Sequence, residues 1–77
     1  MKKREINYGD NTIIVENRVS GERLYVNGEL QDEQIGFTNR SRLWGKLQTG
    51  EEIKITLGGF WGIQCRVFIN NKLVLCE

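Results

Sequence analysis

The feature that most constrains the fold is an alternation of apolar and polar residues between positions 43 and 69. Residues 43–57 carry apolar side chains at every second position on both sides of a turn, and residues 63–69 repeat the alternation after a glycine-rich stretch, residues 58–62. A period of two is typical of an antiparallel strand that buries one face. The pattern therefore predicts β-strands. No stretch of the chain has the longer period of an amphipathic helix.

The turn within residues 43–57 can be placed by the same alternation. A three-residue loop at residues 49–51 pairs Leu47 with Ile53 on one apolar face. A two-residue loop would pair Lys46 with Ile53 instead, and a slip of one residue exchanges the two faces of a strand. We therefore predict the three-residue loop.

Shorter β signals lie earlier in the chain. Residues 4–8, 12–17 and 23–26 are predicted strands, and Asn27-Gly28 favours a type I′ turn because both central residues of that turn need positive φ. This turn pairs Val26 with Glu29 and Tyr25 with Leu30, and it places Arg23 opposite Asp32 as an expected ion pair.

Two further segments complete the chain. Residues 31–40 are polar and lack alternation, so a loop and a single helical turn both fit them. Asn70-Asn71 is a turn signal that leads into a last strand at residues 73–76. We find no linker, low-complexity tract or internal repeat of consequence. The sequence thus predicts one all-β domain over residues 1–77, a small antiparallel sandwich or partly open barrel of seven to eight short strands.

Composition excludes several classes of function. The chain has no histidine, and eleven basic and ten acidic residues give a net charge of +1, so no global field attracts nucleic acid or anionic lipid. No apolar stretch has the length of a membrane span. The basic start is followed by polar residues, where a signal peptide needs an apolar run. We therefore expect a cytoplasmic protein that does not bind membranes.

Catalytic and metal-binding groups are scarce. Ser20 and Ser41 have no histidine to activate them, and the acidic residues Glu29, Asp32 and Glu33 match no metal-binding loop. We expect no enzyme, no cofactor and no metal site.

Whether the two cysteine residues lie opposite each other depends on the length of the last turn. A two-residue turn at Asn70-Asn71 places Cys65 opposite Cys76, whereas a three-residue turn pairs Val67 with Leu75 and separates the thiols. Since no secretion signal is present, we expect reduced thiols with Cys65 buried.

The candidate binding residues are cations around a tryptophan. Arg40 lies close by in the sequence, and four residues occupy the polar positions of the alternation: Arg42, Trp44, Lys46 and Lys54. Strand-borne aromatic rings stack nucleic-acid bases, and neighbouring cations bind phosphates. The alternative is that Trp44 covers a second small core or a subunit interface, and the sequence favours that alternative. Phe60 and Trp61 in the glycine-rich stretch are either a core plug or an exposed anchor for a partner.

Three segments carry a resemblance to known proteins: residues 24–29, residues 43–47, and the strand of Cys65 with residues 70–74. Over residues 21–74 the chain resembles small uncharacterised bacterial all-β proteins. More loosely, it is similar to the β domains of the Fas apoptosis inhibitory molecule family. The resemblance implies a compact antiparallel β domain that acts by binding, and it supplies no catalytic or binding residue.

On the sequence alone we favour a non-catalytic protein-interaction domain that associates with a protein, which includes its own copy in a homodimer. The reason is that several strands carry apolar residues on both faces, and a single small sandwich covers only one face of each strand. The alternative is a binder of single-stranded nucleic acid or oligosaccharide that uses the basic face centred on Trp44.

Overall fold

The computed structural model describes residues 2–18, 20–36, 40–58 and 64–76 of the chain. These residues form eight antiparallel strands in two four-stranded sheets, with the orders β1-β2-β3-β4 and β5-β6-β7-β8, and the sheets are not closed into a barrel. The predicted all-β class is confirmed, and the arrangement is sandwich-like. The strands are β1 (Lys2–Tyr8), β2 (Asn11–Arg18), β3 (Gly21–Val26), β4 (Glu29–Ile35), β5 (Arg40–Lys46), β6 (Glu52–Gly58), β7 (Gln64–Ile69) and β8 (Lys72–Cys76).

The core lies between the inner faces of the two sheets. The predicted alternation is confirmed, since the apolar residues of the run are buried and those between them are half-buried or exposed. The first sheet contributes four buried hydrophobic residues and the second contributes eight. They are Ile13, Val15, Leu24 and Val26, and then Leu43, Leu47, Ile53, Ile55, Leu57, Cys65, Val67 and Ile69.

The two sheets are built on the same plan, which corrects the expectation that the chain has no internal repeat. Strand order and pairing register correspond throughout: Ile14 pairs with Tyr25 as Lys54 pairs with Phe68. The turn Asn27-Gly28 corresponds to Asn70-Asn71, and all four residues have positive φ. In each sheet the side-chain oxygen of the first turn asparagine accepts a hydrogen bond from a backbone N–H at the beginning of the second strand.

The β5–β6 loop differs from the prediction by one position. The loop has three residues, as expected, but they are residues 48–50, because the N–H of Leu47 donates to the carbonyl of Glu51. Gly50 then occupies the third loop position with φ +100°, where a residue with positive φ closes such a loop. Leu43 consequently pairs with Ile55. The shift in register is two residues, so the buried face is unchanged.

A bulge in β4 corrects two further predictions. The segment from residue 31 to residue 35, expected to be a loop or helical turn, continues β4. Tyr25 pairs with Leu30 as predicted, but Leu24 then pairs with Asp32, so Gln31 is an extra residue. Arg23 therefore lies opposite Glu33, not Asp32, and its Nε is 2.7 Å from the Glu33 carboxylate. A bulge redirects the side chains that follow it.

The redirected side chains join the two sheets at the outer edge of β5. The Oδ2 atom of Asp32 accepts a hydrogen bond of 2.8 Å from the N–H of Trp44, and Oε1 of Gln31 accepts one of 3.4 Å from the N–H of Lys46. Gly45 permits the close approach, since a Cβ there would lie 2.9 Å from Cδ2 of Leu24. Side chains thus cover backbone donors that an edge strand would otherwise expose.

An equivalent bulge in β8 places the cysteine residues on opposite faces. The turn Asn70-Asn71 has two residues, yet Val67 pairs with Leu75, because the register shifts between Val67 and Phe68. Neither register considered from the sequence is therefore complete. The strand combines the two-residue turn of one with the pairing of Val67 and Leu75 of the other. Cys65 is buried, whereas Cys76 pairs with Arg66 on the exposed side.

Two charged residues face the interior of the first sheet. Arg4 is 3% exposed and Glu22 is 4% exposed, and each shares the strand parity of an apolar residue two positions further on, the half-buried Ile6 and the buried Leu24. Oε2 of Glu22 has no hydrogen-bond partner among the described residues. No helix in the described part of the chain has the length and apolar character needed to cross a membrane.

A basic and aromatic face on the second sheet

The outer side of the second sheet carries aromatic and basic side chains, and we call it the basic-aromatic face. Its central row runs across four adjacent strands, in the order Trp44, Lys54, Phe68, Leu73. Trp44 and Leu73 are each 53% exposed, while Lys54 and Phe68 are half-buried. Paired residues in adjacent strands share a face, so these four side chains form one continuous stripe.

Lys54 lies between the two aromatic rings of this row. Its Nζ atom is 5.8 Å from the ring centroid of Trp44 and 5.2 Å from that of Phe68. Both distances allow attraction between the ammonium group and the ring faces. The backbones of β5 and β7 are about 10 Å apart, two strand spacings, so the ammonium charge lies midway between the rings.

A second row of the face lies two residues along the strands. It contains Arg42, Thr56, Arg66 and Cys76. Nη2 of Arg66 donates a hydrogen bond of 3.1 Å to Oε1 of Gln64, and Nε2 of Gln64 donates one of 3.3 Å to Sγ of Cys76. Arg42 forms no ion pair with any described residue. The row thus presents two arginine side chains without a neighbouring carboxylate.

Charge is distributed unevenly between the two halves of the chain. Residues 2–36 contain five basic and seven acidic side chains, whereas residues 40–76 contain six basic and two acidic ones. The near-neutral total therefore conceals a net charge of −2 on residues 2–36 and +4 on residues 40–76, and Glu77 brings the total to +1. On the basic-aromatic face, four described cations are accompanied by Glu52, and the Asp32 carboxylate lies at its β5 edge beside the Trp44 N–H. The net charge of the whole chain did not indicate this local positive patch.

The structure places most of the binding residues predicted from the sequence on one face. Arg42, Trp44 and Lys46 project from β5 and Lys54 from β6, all on the side away from the core. Arg40 begins β5, but its side chain lies outside the described residues, as do Phe60 and Trp61.

Sequence reasoning missed the contribution of β7 to this face. Arg66 and Phe68 alternate with buried residues, so their parity was evident from the sequence. The pairing of Phe68 with Lys54 and of Arg66 with Thr56 was not evident, because the register of β6 with β7 is set across the glycine-rich stretch and not by a short turn.

The described residues hold no cluster of three or more acidic or cysteine side chains that could bind a metal ion. No family model matches the sequence, and comparisons with curated proteins and with solved structures find no similar chain. The resemblance to the Fas apoptosis inhibitory molecule family therefore stays a prediction. Fold and face together define the class: a small antiparallel β domain of two sheets, one of which has an exposed basic-aromatic face.

Proposed function

We propose that this chain is a non-catalytic binding domain whose basic-aromatic face binds single-stranded nucleic acid. The observation that carries the proposal is the row of Trp44, Lys54 and Phe68, with additional cations on both sides. Aromatic rings on a sheet provide stacking surfaces for bases, and cations beside them bind the phosphates that connect those bases. The cytoplasmic location expected from the sequence belongs to this proposal.

A single strand fits the face better than a duplex does. Stacking requires that the flat surface of a base be free, which it is not inside a double helix. Trp44 is accessible for such a contact, because about half of its surface is exposed. The Lys54 ammonium group lies between the two rings, where it would contact the phosphate that connects two stacked bases.

Salt dependence of binding tests the proposal. Fluorescence anisotropy of a labelled single-stranded oligonucleotide should show affinity that falls as salt rises, because bound cations release counterions from the phosphates. Contacts from Arg42, Lys46, Lys54 and Arg66 give an expected log–log slope of about −2 to −3 for a single strand. If no binding occurs even at low salt, the proposal is wrong.

Matched variants separate the face from the remainder of the surface. Trp44→Ala should weaken binding by about 1–3 kcal/mol through lost stacking, while Leu30→Ala, an equally exposed apolar residue on the first sheet, should have no effect. Lys46→Gln should reduce the salt slope, whereas Lys3→Gln on the first sheet should not. Equal effects of the paired variants would show that binding is not located on this face.

A protein partner is the second candidate, and the apolar strand β8 favours it. Leu73 is 53% exposed and Val74 is 39% exposed, beside the half-buried Phe68. Contact between two copies through the basic-aromatic face would bring like charges together, which is unfavourable. Self-association would therefore use only the β8 edge of this face, where Leu73 lies three strands away from Trp44. Light scattering at several concentrations, on the chain and on Leu73→Ser, detects such association, and a concentration-independent monomer mass would refute it.

A further inference from the structure

The equivalence of the two sheets allows each residue of the basic-aromatic face to be compared with a counterpart on the first sheet. The row of arginine residues on the second sheet has such a counterpart. Arg42, Thr56, Arg66 and Cys76 occupy the positions of Lys3, Glu16, Arg23 and Glu33.

In the first sheet the positive and negative charges of this row neutralise one another. Cations and carboxylates alternate along it, and Nε of Arg23 lies 2.7 Å from Oε2 of Glu33. The pKa of Arg23 is raised above its ordinary value, first by the hydrogen bond to the Tyr25 hydroxyl and then by the bond to Glu33. In the second sheet the two carboxylate positions are occupied by Thr56 and Cys76. The same architecture therefore leaves both arginine residues available to an external anion.

The row opens into a cleft at the end of the second sheet. The cleft has a volume of about 790 Å³, and none of its described lining residues is acidic. Ser41 lines it and is 7% exposed, and the Ser41 hydroxyl has no hydrogen-bond partner among the described residues. The side chains of Gln34 and Gln64 supply further hydrogen-bonding groups. The Ser41 side chain lies on the core side of β5, so the hydroxyl on the outer side of this row is that of the half-buried Thr56.

We propose that this cleft is a subsite for the terminal phosphate of the strand, an inference that rests on the proposed function. Guanidinium groups bind phosphate oxygens through two parallel hydrogen bonds, and Arg42 and Arg66 line the cleft on either side of Thr56 in the row. A terminal phosphate has one ester linkage and three other oxygens, so it can enter the cleft and accept hydrogen bonds from both arginine residues. A phosphate within the strand has two linkages and is less able to enter.

The subsite adjoins the central row of the face. Residues two apart in a strand are separated by about 7 Å, so the arginine row lies next to the row of Trp44 and Lys54. A strand with its terminal phosphate in the cleft would therefore place its first bases on the aromatic rings.

Anisotropy measurements on three oligonucleotides of one sequence test the subsite. One carries a 5′-phosphate, one a 3′-phosphate and one neither, and each has the same internal fluorescent label. We expect one phosphorylated form to bind about tenfold more tightly than the unphosphorylated form, because the additional hydrogen bonds are charge-assisted. Arg66→Gln and Arg42→Gln should each reduce this ratio. Arg23→Gln, the matched change on the first sheet, should leave the ratio unchanged.

The outcomes distinguish this inference from the proposed function. Equal, salt-dependent affinity for all three oligonucleotides would overturn the terminal-phosphate subsite and leave the proposed function standing. A phosphate preference that persists in Arg66→Gln and Arg42→Gln would also overturn the subsite. If none of the three oligonucleotides binds, both proposals are wrong.

Discussion

Replacing Asp32 by alanine should weaken the connection between the two sheets. Asp32 Oδ2 accepts the hydrogen bond from the Trp44 N–H at 2.8 Å, and Oδ1 accepts one from the Glu33 N–H at the same distance. A hydrogen bond to a charged group contributes about 1.5–3 kcal/mol, and water can replace part of it because Asp32 is half-buried. We expect a loss of about 1–2 kcal/mol in the free energy of unfolding, because water replaces part of this bond at a partly solvated site.

Urea denaturation, followed by tryptophan fluorescence, measures this change. For a chain of this size 1 kcal/mol corresponds to about 4–8 °C, so Tm should fall by about 4–16 °C in a parallel thermal scan. Asp32→Asn keeps an acceptor oxygen and should recover part of the loss. The control is Glu33→Ala, which removes an exposed ion pair of little energetic weight. If Asp32→Ala were no more destabilising than Glu33→Ala, the role assigned to the bulge would be incorrect.

Three further predictions concern the core, the backbone and the thiols. Ile55→Ala should cost about 2–5 kcal/mol in chemical denaturation, as other large-to-small core changes do, and Lys54→Ala should be nearly neutral; the reverse order would contradict the assigned faces. Gly21→Ala should prevent stable folding, because an added Cβ would overlap the carbonyl oxygen of Gln34. Gly50→Ala also strains a positive φ of +100°, but its Cβ meets no atom within 4 Å, so this variant should fold with a smaller loss of stability. Thiol titration of protein unfolded without reductant should count two thiols, and a count of zero at monomeric mass would show an internal disulfide.

The sequence predicted which residues face the core better than it predicted which residues pair. Alternation assigns Leu43 and Ile55 to the buried side whatever the loop, because any shift of two residues preserves the faces. The loop position was less certain. Gly50, which has positive φ, is the third residue of the observed loop, whereas the predicted loop at residues 49–51 has it second.

The bulges at Gln31 and Val74 could not be predicted from local pattern. Each adds one residue to a strand without a glycine or proline to mark it, and each changes the partner of every residue beyond it. The bulge in β4 accounts for the Asp32 contact with β5, and the bulge in β8 for the separation of Cys65 from Cys76.

The internal repeat was present in the sequence and was missed. Residues 23–30 and 66–73 share arginine at the first position, asparagine at the fifth and leucine at the eighth, with similar apolar residues between. Aligning them would have placed Phe68 opposite Leu73, as Tyr25 is opposite Leu30. It would also have identified Arg66 as the counterpart of Arg23, and thereby as a member of the candidate site.

Binding of single-stranded nucleic acid to the basic-aromatic face is tested most directly by NMR. Amide and indole signals of ¹⁵N-labelled protein are followed as a single strand of about ten nucleotides, within the range covered by small single-strand binders, is added at low salt. We expect the largest shift changes at the Trp44 indole and in β5, β6 and β7, while β2 and β3 change little. Absence of shifts, or shifts centred on the first sheet, would contradict it.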